Sequence, residues 1–183
     1  CEYVGCPAIV VHPVSRSTKE KEIACNLEIY RRLMPMAVKT GVKICLENLF
    51  CGYKGRVIEG PCSDVSEACW YLDTLNAEAG CEAFGFCLDT GHATISGENA
   101  IEFVEKLGKL LRTLHIQDNF GVLDNHVVPG RGVIDWKAFM KMFRESGYEG
   151  TFNFEVDGYL DDFNREWFGV DVITQSLKTL YLI

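Results

Sequence analysis

Phe84-Gly85-Phe86-Cys87-Leu88-Asp89-Thr90-Gly91-His92-Ala93 is an apolar run that stops at an acid, a glycine turn and a histidine. A near-continuous apolar run of this length is the pattern of a strand buried on both faces, as in a parallel sheet covered by helices. Functional groups in such folds sit at the carboxyl ends of the strands. The same arrangement recurs along the chain. Ile9-Val10-Val11 ends at His12, Ile44-Cys45-Leu46 at Glu47-Asn48, Leu114 at His115, and Phe152-Asn153-Phe154 at Glu155. The fourth histidine, His126, follows Asp124 in the loop after the fourth run. Groups this costly to bury, placed repeatedly at strand ends, predict one shared polar site, most simply a metal site at one rim of a barrel.

The segments between these runs predict helices. Ser17 or Thr18 caps a helix from about Lys19 to Lys39, with Pro35 as a kink point and Gly41 past its end. The strand Val42–Glu47 leads into a polar loop from Asn48 to Ser63, and Ser63 or Asp64 caps a helix to about Ala79. After Phe84–Asp89 the tail Thr90–Ala93 opens into a loop. A helix from Asn99 to Leu111 precedes the strand Thr113–Gln117, and Asp135 caps a helix from Trp136 to Ser146. Thr151–Val156 is the last strand, followed by a helix from Asn164 to the end. Strands alternating with helices predict parallel β/α units, five of them, in a single α/β domain over residues 1–183.

Composition narrows the function classes. The net charge is −8 and no basic stripe is present, which disfavours nucleic acid, where phosphate contacts dominate affinity. No apolar run approaches a membrane span and no signal-peptide pattern is seen, so a cytoplasmic location is expected. Nine cysteines lie between Cys1 and Cys87 without a C-x2-C pair, which favours reduced thiols over zinc knuckles or disulfides. The chain begins at Cys1 and enters a strand almost at once, so a fragment lacking its N-terminal part is expected.

Glu47, Asp89, His115 and Glu155, each from a different strand end, form a hard set suited to one divalent cation: Mn, Mg, Co or Zn. Without a cation, clustered carboxylates would repel one another. Glu47 and Glu155 are also the natural acid/base pair for moving a proton next to a carbonyl. His12, Asn48, His92, Asp118, Asp124, His126 and Arg131 are candidates for substrate contacts or for hydrogen bonds that orient the ligands. Phe50, Tyr53, Trp136 and Tyr159 are candidates to line a sugar pocket, though Trp136 fits core or lid packing better, and Lys54 and Arg56 stay open.

At these residues the chain resembles the xylose isomerase-like TIM-barrel superfamily of sugar phosphate isomerases/epimerases, ketose 3-epimerases, inositol-catabolism enzymes and endonuclease IV. The matching signatures are Val11-His12-Pro13, Leu46-Glu47-Asn48, Leu88 to Ala93, His115 to Asn119, Asp124-x-His126, Pro129-Gly130-x-Gly132-x-x-Asp135-Trp136 and Phe154-Glu155. The resemblance implies strands four to eight of a (β/α)8 barrel. It also implies a single metal held by Glu47, Asp89, His115 and Glu155, with Glu47 and Glu155 as the acid/base pair. The expected activity is that of a sugar or sugar-phosphate isomerase/epimerase, a small carbohydrate being the partner and homo-oligomerisation left open. His126 stands near the place where the ketose epimerases carry a substrate-contacting arginine, which departs from that subgroup. The competing expectation is an endonuclease IV-like multi-zinc phosphodiesterase acting at abasic DNA, since His12, His92, Asp124 and His126 fit its extended metal set. A non-catalytic ligand-binding relative is a third.

Overall fold

The computed structural model describes residues 1–156 together with Lys178 and Leu180. Most of the helix expected from Asn164, and Tyr159, lie outside the described residues. The elements run β1 (Ala8–Val10), α1 (Lys19–Thr40), β2 (Lys43–Glu47), β3 (Phe50–Tyr53), β4 (Arg56–Glu59), α2 (Val65–Ala79), β5 (Phe84–Asp89), α3 (Thr90–Ile95), α4 (Ala100–Leu107), β6 (Leu111–His115) and α5 (Trp136–Glu145). β1, β2, β5 and β6 pair in that order, all parallel. Residues 151–156 extend the sheet by isolated parallel bridges, Thr113 with Thr151 and Ile116 with Phe154, rather than a continuous ladder. The result is a curled partial β/α barrel.

Helix ends follow the capping residues. Thr18 accepts from the Lys21 amide at the start of α1, and Gly41, at φ 74°, closes it. Pro35 lies inside that helix. Asp64 accepts from Ser66 and Glu67 at the start of α2. Side chains then fix each helix to the sheet. Tyr30 of α1 donates to the Val11 carbonyl at 2.8 Å, and Asn76 of α2 bonds both the amide and the carbonyl of Phe84. Tyr30, Tyr71, Phe84, Phe86, Phe103 and Phe139 are fully buried between sheet and helices. Each such ring contributes on the order of 1.5–3 kcal/mol by leaving water.

Four local expectations change. Residues 48–63 are not simply a loop. They contain the β3–β4 hairpin, closed by Lys54 and Gly55 at φ 49° and 75°, the doubly positive turn that suits the strand twist. The tail after Asp89 is the short helix α3, because the Asp89 carboxylate caps it by accepting from the His92 amide at 2.7 Å. α4 stops at Leu107, where Gly108 (φ 51°, ψ −120°) breaks the helical path. β6 accordingly begins at Leu111 and ends at His115, two residues earlier than expected at each end. Among the described residues no helix is long and apolar enough to cross a membrane.

Candidate metal centre and active site

Strand pairing brings the strand-end residues together. Asp89 lies opposite His115 in the β5–β6 register, and Glu47 opposite Cys87 in the β2–β5 register. The Glu155 amide donates to the Ile116 carbonyl, which places Glu155 beside the end of β6. One donor atom each from Glu47, Asp89, His115 and Glu155 then lies within 4.8 Å of the others. His115 Nδ1 is 2.9 Å from a Glu155 oxygen and 3.3 Å from Glu47 Oε2. Glu47 is almost completely buried, whereas the Glu155 side chain is 41% exposed. One carboxylate forms the floor of the site and the other its open rim.

A second group adjoins the first. His92, Asp124 and His126 also bring donor atoms within 4.8 Å of one another. Asp124 Oδ2 is 2.9 Å from His126 Nε2 and 3.3 Å from His92 Nε2. The other His92 nitrogen meets the Asn48 carbonyl at 3.0 Å and faces Glu47 Oε1 at 3.4 Å. His126, held at φ 47°, sets its Nδ1 3.0 Å from the Glu155 carbonyl. His12, largely exposed, approaches Glu47 Oε2 at 3.1 Å. Phe50 packs its ring edge-on against His92, forming a wall of the site.

Charge in this cluster is finely matched. Burial opposes ionisation of Glu47, but the His115, His12 and His92 imidazoles outweigh it and hold the carboxyl well below the usual range. Asp124 is held low in the same way by His126, His92 and Gln117 against its own burial. Glu155 is lowered chiefly by His115. Burial pushes Asp89 up to about 7, against the pull of His92. Burial works against a charged His92, yet Asp124 and Glu47 raise it to about 11. The carboxylates therefore require positive charge beside them, supplied either by protons on the imidazoles or by a cation.

The donor set fits a divalent cation. Glu47 Oε2 and His115 Nδ1 are buried atoms that make no well-aligned hydrogen bond, although His12, Glu155 and each other lie within 2.9–3.3 Å. Buried polar atoms without one are rare and call for an explanation such as an ion. Carboxylate oxygens and imidazole nitrogens are suitable ligands for Mn, Mg, Co or Zn.

The remaining expected residues have other places. Asn48 holds both backbone polar groups of Asp89, accepting from its amide and donating to its carbonyl at 2.8 Å. Asp118 is fully buried and turned into the loop that follows it, accepting from the amides of Asn119, Gly130, Gly132 and Ile134 and from the Trp136 indole. Its oxygens are thereby committed to the loop and not offered to a substrate. Arg131 is exposed in that loop, and Trp136 is buried in the core. Tyr53, Lys54 and Arg56 sit at the exposed hairpin tip.

Sequence reasoning missed Gln117 and Cys87. Gln117, fully buried, donates to both Asp89 oxygens at 3.3 and 3.4 Å and to Asp124 at 2.7 Å, linking the two groups. A side chain at Gly91 would collide with its amide. Cys87 lies in a further donor group with Glu47 and His115. Both had a signal, the two-residue alternation of a strand, since Gln117 is two past His115 and Cys87 two before Asp89. A separate cleft of about 700 Å³, lined by Lys19, Glu22, Glu67 and Trp70 among others, shares none of these residues.

Comparison with known proteins identifies the family. A family model described as a xylose isomerase-like TIM barrel matches residues 1–175. An uncharacterized protein of Methanocaldococcus jannaschii is 31% identical over 135 residues, covering 71% of this chain and 42% of the relative. Fructoselysine 3-epimerase from Escherichia coli O157:H7 is 36% identical over 62 residues, 34% of this chain and 22% of that protein. Inosose isomerase from Bacillus subtilis is 26% identical over 165 residues, 85% of this chain and 56% of that enzyme. Among solved structures, 3-keto-D-glucoside 4-epimerase from E. coli superposes with a TM-score of 0.72 at 19% identity, covering all of this chain and 66% of that one. A D-tagatose 3-epimerase-like protein gives 0.70 at 22% identity, covering 95% and 63%. This chain thus spans less than two thirds of the length of each of these relatives.

Proposed function

Because the chain belongs to the xylose isomerase-like TIM-barrel family, we propose that it is the later part of a barrel, a single domain over residues 1–183, that serves a sugar or sugar-phosphate isomerase/epimerase. The observation that carries this reading is the convergence of Glu47, Asp89, His115 and Glu155 from successive strand ends. The relatives named fructoselysine 3-epimerase and inosose isomerase support it at the level of reaction class.

Glu47, Asp89, His115 and Glu155 would hold one divalent cation, Mn, Mg, Co or Zn. Bound there, the cation would polarise a carbonyl oxygen and acidify the adjacent C–H. Glu47 and Glu155 are the acid/base pair. One glutamate, as the carboxylate, takes the proton from carbon, and the other, entering the step as the protonated acid, gives its own proton to the same carbon from the opposite face, giving the epimer. Return to the neighbouring carbon gives the isomer. The buried Glu47 is fixed by its imidazole neighbours, while Glu155 at the open rim meets an entering sugar. His115 stands between the two carboxylates and keeps them from repelling each other. In this reading Phe50 and His92 supply a wall, and His12, His126 and Arg131 would contact hydroxyl or phosphate groups.

The test is wash-in of solvent deuterium at the carbon beside the carbonyl, run on a panel of ketoses and inososes. Wild-type protein should exchange that proton and Glu155→Gln should not, while the variant keeps part of its metal. Near-normal exchange in Glu155→Gln would rule out the two-glutamate mechanism.

The His92–Asp124–His126 group favours one second reading, a multi-metal phosphodiesterase. Two or three zincs per chain, with cleavage of abasic-site DNA, would establish it. The net charge of −8 weighs against a DNA substrate.

A further inference from the structure

We propose that the Cys87 thiolate is a sulfur ligand to the cation held by Glu47 and His115, and that it turns the site toward zinc or cobalt and away from magnesium or manganese. The inference rests on the reading of that site as a metal centre and deepens it by naming the metal class.

Cys87 stands on β5 two residues before Asp89, so both side chains point to the same face of the strand. It is fully buried, and its register partner on β2 is Glu47. A ligand atom from each of Glu47, Cys87 and His115 lies within 4.8 Å of the others. The second, independent observation is at Glu47, a member of this group and only 1% exposed, whose Oε2 is buried and makes no well-aligned hydrogen bond although His12 Nε2 and His115 Nδ1 lie 3.1 and 3.3 Å away. His115 Nδ1 is likewise buried and makes no well-aligned hydrogen bond, although a Glu155 oxygen lies 2.9 Å away.

A buried cysteine is ordinarily a small hydrophobe, and the chain offers a comparison. Cys45 on β2 stands two residues before Glu47, as Cys87 stands before Asp89, and is equally buried. Yet Cys45 enters no donor group among the described residues. Cys45 is thus no more than a buried core residue, whereas Cys87, equally buried, shares a donor group with Glu47 and His115.

The chemistry follows from ligand softness. Oxygen ligands suit magnesium and manganese, whereas a thiolate selects for zinc and raises affinity along the series that favours cobalt over manganese. On binding, the S–H bond of Cys87 breaks, its proton leaves to the buffer, and a sulfur–metal bond forms, with no change of oxidation state.

The experiment strips the full chain of metal and titrates it with cobalt(II), reading the absorption spectrum. The wild type should show an intense near-ultraviolet thiolate-to-cobalt charge-transfer band together with weak visible d–d bands. Cys87→Ser should lose the charge-transfer band, keep the d–d bands, and show a zinc-over-manganese preference lower by roughly tenfold or more. Cobalt bound without the charge-transfer band, or a band that survives in Cys87→Ser, overturns the proposal and leaves the metal centre standing. Failure of the wild type to bind cobalt at all removes the metal centre and this inference with it. Should Cys87→Ser not fold, zinc-edge X-ray absorption on the wild type decides. A sulfur scatterer, retained when the exposed Cys1, Cys6 and Cys81 are replaced by serine, supports Cys87, and a purely nitrogen and oxygen shell excludes it.

Discussion

Replacing Asp118 with asparagine changes little in volume and should nevertheless unfold the loop that carries Asp124 and His126. Asp118 Oδ2 accepts from Gly130 and Gly132 at 3.0 Å and from the Trp136 indole at 2.8 Å. Its Oδ1 accepts from Asn119 at 2.9 Å and Ile134 at 3.3 Å. All five partners are N–H donors, so a carboxylate suits the pocket and an amide does not. The best placement for the new side chain keeps its oxygen toward the three-donor side and turns NH2 toward Asn119 and Ile134. Two buried donors then lose their acceptor and face another donor, at about 1–3 kcal/mol each, for a total of roughly 2–6 kcal/mol. For a chain of this size that lowers Tm by about 2–4 °C per kcal/mol. Urea unfolding followed by tryptophan fluorescence measures the change, because Trp136 is itself a partner. Hydrogen exchange at residues 130–136 locates it. A loss under about 0.5 kcal/mol, the usual range for an ordinary surface substitution, with unchanged exchange at those amides, would refute the clasp.

Other substitutions probe neighbouring parts of the argument. Gly91→Ala drives a methyl group into the Gln117 amide, which links Asp89 and Asp124. Metal affinity by competition titration should fall about 10–100-fold, and an unchanged affinity would show that Gln117 orients nothing. Asn76→Ala removes both hydrogen bonds to the Phe84 backbone at the start of β5. A loss of roughly 2–4 kcal/mol in urea unfolding is expected, and a midpoint equal to wild type would mean water replaces the side chain. Chelation should lower Tm. A cation present at a hundred times its dissociation constant stabilises by about 2.7 kcal/mol. Glu47→Gln should shrink that difference, whereas a chelator effect of the same size in this variant would place the metal elsewhere.

The legible part of this chain was the part built on strands. Glu47, Asp89, His115 and Glu155 stand out because each breaks an apolar run at its end, and pairing of those ends needs only a parallel sheet. The two-residue alternation carries further information, since Cys87 and Gln117 stand two residues from Asp89 and His115. The hairpin at 50–59 was hidden because its turn is Lys54-Gly55, not the Asn-Gly or Asp-Gly pair that announces a doubly positive turn. The end of β6 was misplaced because Ile116-Gln117 continues the apolar pattern beyond the last ladder residue.

Asp118 shows where sequence reading reaches its limit. In the run His115-Ile116-Gln117-Asp118-Asn119 an acid next to a strand end looks the same whether it serves a ligand or a loop. Its role is decided by Gly130, Gly132 and Trp136, more than ten residues away, whose N–H groups turn back to meet it. A side chain at Gly132 would strike the Asn119 carbonyl and the Asp118 carboxylate, so that glycine is required by close approach of the backbone. The same loop delivers Asp124 and His126 to His92, and Gln117 joins Asp124 to Asp89. The second donor group is thus set by the loop clasp, while the first is set by the sheet. Loosening the clasp should therefore disturb His92, Asp124 and His126 well before it disturbs Glu47 and His115. Metal titration of Asp118→Asn would show the order: intact binding at the strand-end group with the loop residues displaced supports this division, and simultaneous loss of both contradicts it.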